Sequence, residues 1–163
     1  MDDRKKEGRY QRLYTQLEEL CRKTSRPLAR MASICAVLHH KMDYYFWTGF
    51  YLLEKSEGEG EETGPGLLVV GPYQGPVACQ ELNPGNGVCW AAVERAEPVV
   101  VPDVHAFPGH HACDARSQSE ITLPVKDKNG EIKAVFDVDS DKPGSFSEID
   151  SRYLQQIMKL VYR

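Results

Sequence analysis

The sequence predicts a single α+β domain in which helices pack on an antiparallel sheet. Apolar residues recur at helical spacing near both ends of the chain, and strand-like apolar segments lie between them. Short turns join some of these segments directly, which is typical of hairpins and therefore of antiparallel pairing. With 163 residues, the chain is long enough to bury one core without disulfides or metals to stabilise it. We expect one domain over 1–163.

The N-terminal part of the chain, about 7–42, predicts two helices separated at Pro27. Apolar side chains recur every three or four residues on each side of this break. They are Tyr10, Leu13, Leu17 and Leu20 in the first helix, and Leu28, Met31, Cys35 and Leu38 in the second. Because Cys21 and Cys35 fall on these stripes, we expect both thiols to be buried and inert.

The sheet and the loops of the site are expected within about 44–140. The run at 44–53, YYFWTGFYLL, is apolar on both alternating faces, as in a strand covered on both sides, and Trp47 and Tyr51 share one of these faces. An acidic, glycine-rich segment at 56–66 predicts an exposed hairpin loop before the next strand.

The second half of the chain alternates short elements with one long loop. A short helix is predicted at 88–95 and a strand at 98–101. The stretch 102–119 has no periodicity, and a loop this long inside a compact domain is usually functional. Strands at 121–125 and 131–140 follow, joined by an Asn-Gly turn.

A C-terminal helix is predicted over about 147–162. Ser145 and Glu148 have the spacing of a capping box, with the serine at the N-cap and the glutamate three residues later. The helix then presents one apolar stripe, formed by Ile149, Tyr153, Ile157 and Leu160.

Composition narrows the class of function. The formal net charge of -4 disfavours a nucleic-acid binder, which would carry a basic patch. No segment is apolar for long enough to span a bilayer, and the start of the chain resembles no export signal, so we expect a cytoplasmic protein without membrane contact. Five cysteines cannot all pair within one chain. A disulfide in a reducing compartment is usually catalytic or redox-sensing.

Two carboxylates are expected to project from one face of the last strand. The alternation in 131–140 places Asp137 and Asp139 together, with Lys133 and Val135, opposite a fully apolar face. Neighbouring like charges on a strand are unfavourable, so either a bound ammonium group or a shared proton should compensate them. The alternative is a solvated strand face, and the spacing does not distinguish the two.

Three cysteines fall in turn or loop contexts where a reactive thiol is plausible: Cys79, Cys89 and Cys113. Cys89 would lie in the first turn of the short helix, where the helix dipole lowers a thiol pKa, so local reasoning predicts the lowest pKa there. The alternative for each thiol is a small buried hydrophobic residue.

Other common sites are not supported by the sequence. The spacing of His105, His110, His111 and Cys113 fits none of the usual zinc motifs, so no metal site is predicted. The glycines near Gly85 lack the lysine and hydroxyl of a phosphate-binding loop. No serine lies in a nucleophile elbow.

Five segments taken together resemble one protein family. FWTGFYLL, GPYQGPVAC, GVCWAA, VPDVHAFPGHHACDARSQSEI and AVFDVDS, in this order, resemble the free methionine-(R)-sulfoxide reductases, which have a GAF fold. The similarity extends from about Tyr44 to the closing helix and is most specific at 101–121. It implies a GAF-like fold with a central antiparallel sheet flanked by helices.

The resemblance also implies a mechanism. Cys113 would attack the sulfoxide sulfur of free L-methionine-(R)-sulfoxide and become a sulfenic acid. Cys79 would resolve it as a disulfide, and Cys89 would be a third thiol able to take part or to pass the disulfide on. Thioredoxin would restore the dithiol, with NADPH as the ultimate source of electrons and no cofactor bound to the chain. Family members are often dimeric, which implies a homodimer.

The implied substrate pocket contains Trp47 and Tyr51 against the ligand, with Glu120, Asp137 and Asp139 around its polar groups. Displacement of the sulfoxide oxygen requires a proton, and a clustered carboxyl with a raised pKa would supply it, so Glu120 is the expected acid. The aspartates would bind the α-ammonium group.

Two other classes of function stay open at this point. A non-catalytic GAF module would sense a small molecule or the redox state without turnover. A scaffolding protein would have inert cysteines, but it would leave the paired aspartates and the histidine-bearing loop unexplained.

Overall fold

The computed structural model describes residues 1–55, 64–110 and 113–163. Its helices are α1 (Asp3–Arg22), α2 (Pro27–Lys41), α3 (Gly87–Arg95) and α4 (Glu148–Met158), with a short 3-10 helix at Val104–Ala106. Its strands are β1 (Trp47–Glu54), β2 (Leu67–Gln74), β3 (Glu81–Leu82), β4 (Val99–Val101), β5 (Ser119–Lys126) and β6 (Ile132–Ser140). Most of the predicted loop at 56–66 lies outside the described residues.

The strands form one antiparallel sheet in the order β3-β2-β1-β6-β5-β4. The predicted hairpin at the Asn-Gly turn joins β5 to β6, and β1 pairs with β2 on the other side of the sheet. The pairing of β1 with β6 lies at the centre of the sheet. The α+β class with an antiparallel sheet is therefore confirmed.

The two faces of the sheet are covered differently. On one face, Phe50 and Phe136 lie with ring centroids 4.8 Å apart in a large core shared with α1, α2 and α4. On the other face, Trp47, Tyr51 and Val135 belong to a smaller core with α3. This arrangement confirms the alternation predicted for 44–53 and 131–140, and it leaves the α3 face for the functional residues. As predicted, Cys21 and Cys35 are buried.

Some boundaries differ from the predictions. β2 continues through the turn-like residues Gly71 and Pro72, and the pairing shifts register opposite the stretch between Gly49 and Tyr51. A bulge of this kind accommodates a proline that has no N–H to give to the ladder. The short β3 was not predicted from the sequence. None of the described helices has the length and apolar character needed to cross a membrane.

The capping box of α4 begins two residues later than predicted. Ser147, not Ser145, is the N-cap, and its backbone N–H donates to Asp150 Oδ2 at 2.8 Å. Asp150, not Glu148, is the reciprocal acid. The prediction was wrong because Asp150 also anchors the helix to the rest of the core, which the local sequence does not reveal.

Asp150 is completely buried and is the centre of a polar network. Lys6 Nζ, from α1, donates to Asp150 Oδ2 at 2.6 Å, and the Tyr10 hydroxyl donates to Oδ1 at 2.6 Å. The Tyr44 hydroxyl donates to the same oxygen. Burial raises the pKa of Tyr10, which therefore stays a neutral donor. The network connects the N-terminal helix to the C-terminal one.

We expect Asp150→Asn to destabilise the fold by about 3–5 kcal/mol, because it leaves the buried Lys6 ammonium without its counter-ion. The measurement is the free energy of unfolding in urea. The matched control is Asp141→Asn at an exposed position, which should change stability by less than about 0.5 kcal/mol. A loss at Asp150 as small as the control's would contradict the assignment of this network.

Candidate active site

The register of three strands builds a cluster on the α3 face of the sheet. Trp47 pairs with Asp139, and Gly49 pairs with Asp137, across β1 and β6. Glu120 pairs with Asp139 across β5 and β6. Directly opposed residues of antiparallel strands point to the same face. The three carboxylates and the indole are thus brought together by strand pairing.

Aromatic rings form one wall of this cluster. Trp47 stacks between Tyr51 and Tyr73, with ring centroids 5.8 and 5.4 Å away. Its indole N–H donates to the Pro76 carbonyl at 3.1 Å, and the Tyr51 hydroxyl donates to the Cys79 carbonyl at 3.1 Å. The wall therefore also positions the loop that carries Cys79.

Gly49 makes room for this wall. A Cβ at position 49 would collide with the Trp47 ring and with the Tyr73 side chain. We expect Gly49→Ala to lower stability by about 1–3 kcal/mol, the usual effect of overpacking, and to shift the tryptophan fluorescence. The control is Gly8→Ala in α1, where the added methyl has space and should stabilise by roughly 0.5–1 kcal/mol. Unchanged unfolding and fluorescence in Gly49→Ala would contradict this prediction.

The three carboxyl groups have raised pKa values. Glu120 and Asp137 are buried, at 5% and 6% exposure. Burial, followed by the charges of Asp137 and Asp139, raises the pKa of Glu120 well above its usual value. Burial raises the pKa of Asp137 to about 6, and the nearby Glu120 and Cys89 side chains offset part of this rise. Burial and the Asp137 charge also raise the pKa of Asp139. A solvated strand face is therefore excluded.

These pKa shifts give Asp137 and Glu120 different protonation states. Near neutral pH, Asp137 is mostly ionised, because its pKa is about 6. Glu120 holds its proton because its pKa lies well above the usual range and its neighbour is negative. Two nearby carboxyl groups with separated pKa values are the usual arrangement for a proton donor beside a charged binding group.

Cys89 does not have the low pKa predicted from its helix position. It lies in the first turn of α3 but is buried. Burial, and then the negative charges of Asp137, Glu120 and Asp139, raise the pKa of its thiol. Full burial shifts a pKa by up to about 3–5 units, whereas a helix terminus contributes only about 0.3–1 kcal/mol. The dipole is outweighed, and that prediction was wrong.

Cys79 and Cys113 form a disulfide, the pairing that the resemblance implied. Their Cα atoms are 5.4 Å apart, and 34 positions separate them in the sequence. Cys113 is exposed and Cys79 is half-buried. Cys89 is a free thiol in this state.

Contacts made by the residues that follow Cys113 hold its loop. Arg116 pairs with Asp114 at 2.8 Å, and its guanidinium lies 4.8 Å from the centre of the Phe46 ring. The Gln118 backbone N–H donates to the Ser140 carbonyl at 2.8 Å. These contacts place Cys113 beside the carboxylates of the sheet.

A cavity of about 60 Å³ lies between the sheet, α3 and the Cys113 loop. Seven of the eight candidate residues line it: Trp47, Tyr51, Cys89, Cys113, Glu120, Asp137 and Asp139. The eighth, Cys79, does not line the cavity but is bonded to Cys113, which does. Val77 and Ala78, which precede Cys79 in the chain, also line the cavity. The structure thus assembles the candidate set in one place.

The cavity includes residues that the sequence did not single out as a site. Asn86, Gly87 and Val88 bring the start of α3 to its wall, and the turn-rich NPGNG segment was the available signal. His110 also lines the cavity, with Nδ1 4.0 Å from Glu120 Oε2, although the sequence suggested it only as a zinc ligand. His111, from the same zinc set, lies outside the described residues.

Comparisons with known proteins identify the family of the chain. The GAF domain profile matches residues 17–161. The chain is 44% identical to GAF domain-containing protein A of Dictyostelium discoideum, over 96% of this chain and 92% of that protein. It is 43% identical to the free methionine-R-sulfoxide reductase of Escherichia coli, over 80% and 73%. A structure of free methionine-R-sulfoxide reductase from Neisseria meningitidis, in complex with its substrate, superposes with a TM-score of 0.85 at 32% identity, covering 99% and 90%.

Proposed function

Since this chain belongs to the GAF-domain family that includes the free methionine-R-sulfoxide reductases, we propose that it reduces free L-methionine-(R)-sulfoxide to L-methionine. The observation that carries the proposal is the cavity itself. One small space is bordered by an aromatic wall, by three carboxyl groups with raised pKa values and by one sulfur of a disulfide. Each of these groups has a task in sulfoxide reduction.

Free methionine sulfoxide is a zwitterionic amino acid with a sulfoxide in its side chain, and the cavity offers groups that complement parts of it. The Trp47 and Tyr51 rings provide an apolar surface for the S-methyl end. Asp137 is ionised near neutral pH and, with Asp139, binds the α-ammonium group. The buried Glu120 and Asp137 side chains close one side of the cavity, so we expect it to exclude a methionine sulfoxide within a polypeptide, which would need an exit for the chain on both sides.

The first chemical step transfers oxygen between two sulfurs. The Cys113 thiol supplies two electrons to the sulfoxide sulfur, and Glu120 protonates the sulfoxide oxygen. The products are methionine, which leaves reduced, and a Cys113 sulfenic acid that retains the oxygen. Glu120 suits this role because its raised pKa keeps the proton available at neutral pH.

The second step makes the disulfide found in the structure. The Cys79 thiol attacks the Cys113 sulfenic sulfur, water leaves, and the Cys79–Cys113 bond forms. Thioredoxin then reduces this bond by thiol exchange and is itself oxidised, with NADPH as the final electron source. No cofactor bound to the chain is required for these steps.

Cys89 is proposed as a third thiol that can pass the disulfide on to the reductant. Because Cys89 is buried, a protein partner cannot attack its sulfur directly, and we propose that this exchange takes place through the exposed Cys113. On the family resemblance alone, we also propose a cytoplasmic location and a homodimer. Sedimentation velocity can test the homodimer.

A single-turnover experiment tests the proposed function. Fully reduced protein, with five thiols, is mixed with one equivalent of methionine-(R)-sulfoxide without reductant. We expect one equivalent of methionine and a fall from five free thiols to three, because Cys79 and Cys113 pair while Cys21, Cys35 and Cys89 stay reduced. Peptide mass mapping identifies the pair.

The (S)-epimer is the matched control and should give neither methionine nor thiol loss. Addition of thioredoxin, thioredoxin reductase and NADPH should make the reaction catalytic. Failure of the fully reduced protein to consume the (R)-epimer would overturn the proposal and favour a non-catalytic sensing module.

A further inference from the structure

Three buried groups that line the cavity, two of which are proposed above to serve sulfoxide reduction, also form a possible set of metal ligands. The Cys89 thiol and the carboxyl groups of Glu120 and Asp137 present ligand atoms that all lie within 4.8 Å of one another. All three residues are buried. One sulfur and two carboxylate oxygens are a donor set suited to Zn²⁺, which accepts both thiolate and carboxylate ligands.

A second observation points to a ligand at the same place. Asp137 is only 6% exposed and lines the cavity, yet its Oδ1 has no hydrogen-bond partner among the residues that the structure describes. An unsatisfied buried acceptor costs about 1–3 kcal/mol, and the cost is higher for a charged group. A cation bound at Oδ1 would remove this cost.

We propose that Cys89, Glu120 and Asp137 bind a Zn²⁺ ion, which occupies the cavity in place of the substrate. Binding releases the thiol proton of Cys89 and the carboxyl proton of Glu120, so the ion faces one thiolate and two carboxylates. His110, whose Nδ1 lies 4.0 Å from Glu120 Oε2, or a water molecule in the cavity completes four-coordination. The site differs from the histidine-rich loop set rejected above.

The site has a predictable relation to the redox state of the protein. Cys89 is free in the disulfide form, while Cys79 and Cys113 are bonded to each other. The ion therefore binds the disulfide form without a ligand from Cys79 or Cys113. Competition with methionine sulfoxide rests on the proposed function, because Glu120 and Asp137 serve both ligands, whereas metal binding does not depend on turnover.

The test uses the disulfide form of the full chain and titrates it with Co²⁺ as a spectroscopic substitute for Zn²⁺. We expect a near-ultraviolet thiolate-to-cobalt charge-transfer band that saturates at one equivalent and disappears when Zn²⁺ is added. Cys89→Ser should abolish the band. Cys35→Ser, which removes another buried thiol outside the cluster, should leave the band intact.

Calorimetry with Zn²⁺ supplies the second readout. Asp137→Asn keeps the thiol and the side-chain shape, and we expect it to weaken binding by roughly 100-fold, since even the loss of an outer partner costs about 10–100-fold in affinity. Near-ultraviolet circular dichroism checks that each variant is folded. A missing band in the wild type, a band that survives Cys89→Ser, or unchanged Zn²⁺ affinity in folded Asp137→Asn would overturn the proposal.

In the turnover assay, Zn²⁺ should raise KM without lowering kcat, and a chelator should reverse the effect. Inhibition that lowers kcat at saturating substrate would contradict competition at this site. If the wild-type protein shows no reductase activity, the proposed function fails, and the cobalt and calorimetric results still decide the metal site.

Discussion

The Cys113→Ser variant should lose at least about 10³-fold in kcat/KM for free methionine-(R)-sulfoxide, because a serine hydroxyl cannot donate two electrons to the sulfoxide sulfur or hold the oxygen as a sulfenic acid. Cys113 is the exposed member of the disulfide and lines the cavity, whereas Cys79 does not. The measurement is thioredoxin-coupled NADPH oxidation, with methionine release quantified independently.

Two variants sharpen this prediction. Cys35→Ser removes a buried thiol on α2, away from the cavity, and should keep most of the activity. Cys79→Ser should still release one equivalent of methionine per chain but then stall, with a sulfenic acid on Cys113 that a dimedone-type reagent traps. Trapping on another cysteine, or full activity in Cys113→Ser, would show that the nucleophile is misassigned.

The second large effect is expected for Glu120→Gln, which should lower kcat by about 10²–10⁴-fold, the usual contribution of a positioned general acid. The amide keeps the size of the side chain but cannot give up a proton to the leaving oxygen. Glu94→Gln, at an exposed position on α3, is the control and should be close to wild type.

The pH dependence gives a second signature of Glu120. Catalysis needs its protonated form, so the wild-type rate is present below the pKa of Glu120 and falls as the pH rises through it. Burial and the neighbouring aspartates raise that pKa, which extends the active range toward neutral pH. In Glu120→Gln, this alkaline fall should disappear. Persistence of the same fall in the variant would assign it to another group.

Asp137 sets the acidic limit of the same profile. It binds the ammonium group in its ionised form, so kcat/KM should fall as the pH drops below about 6, the value to which burial raises its pKa. The two carboxyl groups interact, and the profile reports the pair. A bell-shaped profile with its acidic limb near 6 is the expected result.

The sequence alone determined the architecture and the faces on which several candidate residues lie, because both depend on local periods. The two-residue repeat of β6 places Asp137 and Asp139 opposite Phe136, and the helical stripes identify Cys21 and Cys35 as buried. The five family segments supplied the remaining roles, including the implied pairing of Cys79 with Cys113, which are 34 residues apart.

Tertiary structure decided the electrostatics, since these depend on what approaches through space. Local reasoning gave Cys89 a low pKa from its helix position, but α3 buries the thiol near the carboxyl groups of the sheet, and burial and these charges raise its pKa. Asp150 is likewise the capping acid of α4 in the structure, where Lys6 and Tyr10, both remote in sequence, donate hydrogen bonds to its carboxylate. Periodicity decides which face a side chain occupies, whereas burial and the charges across the fold decide its protonation.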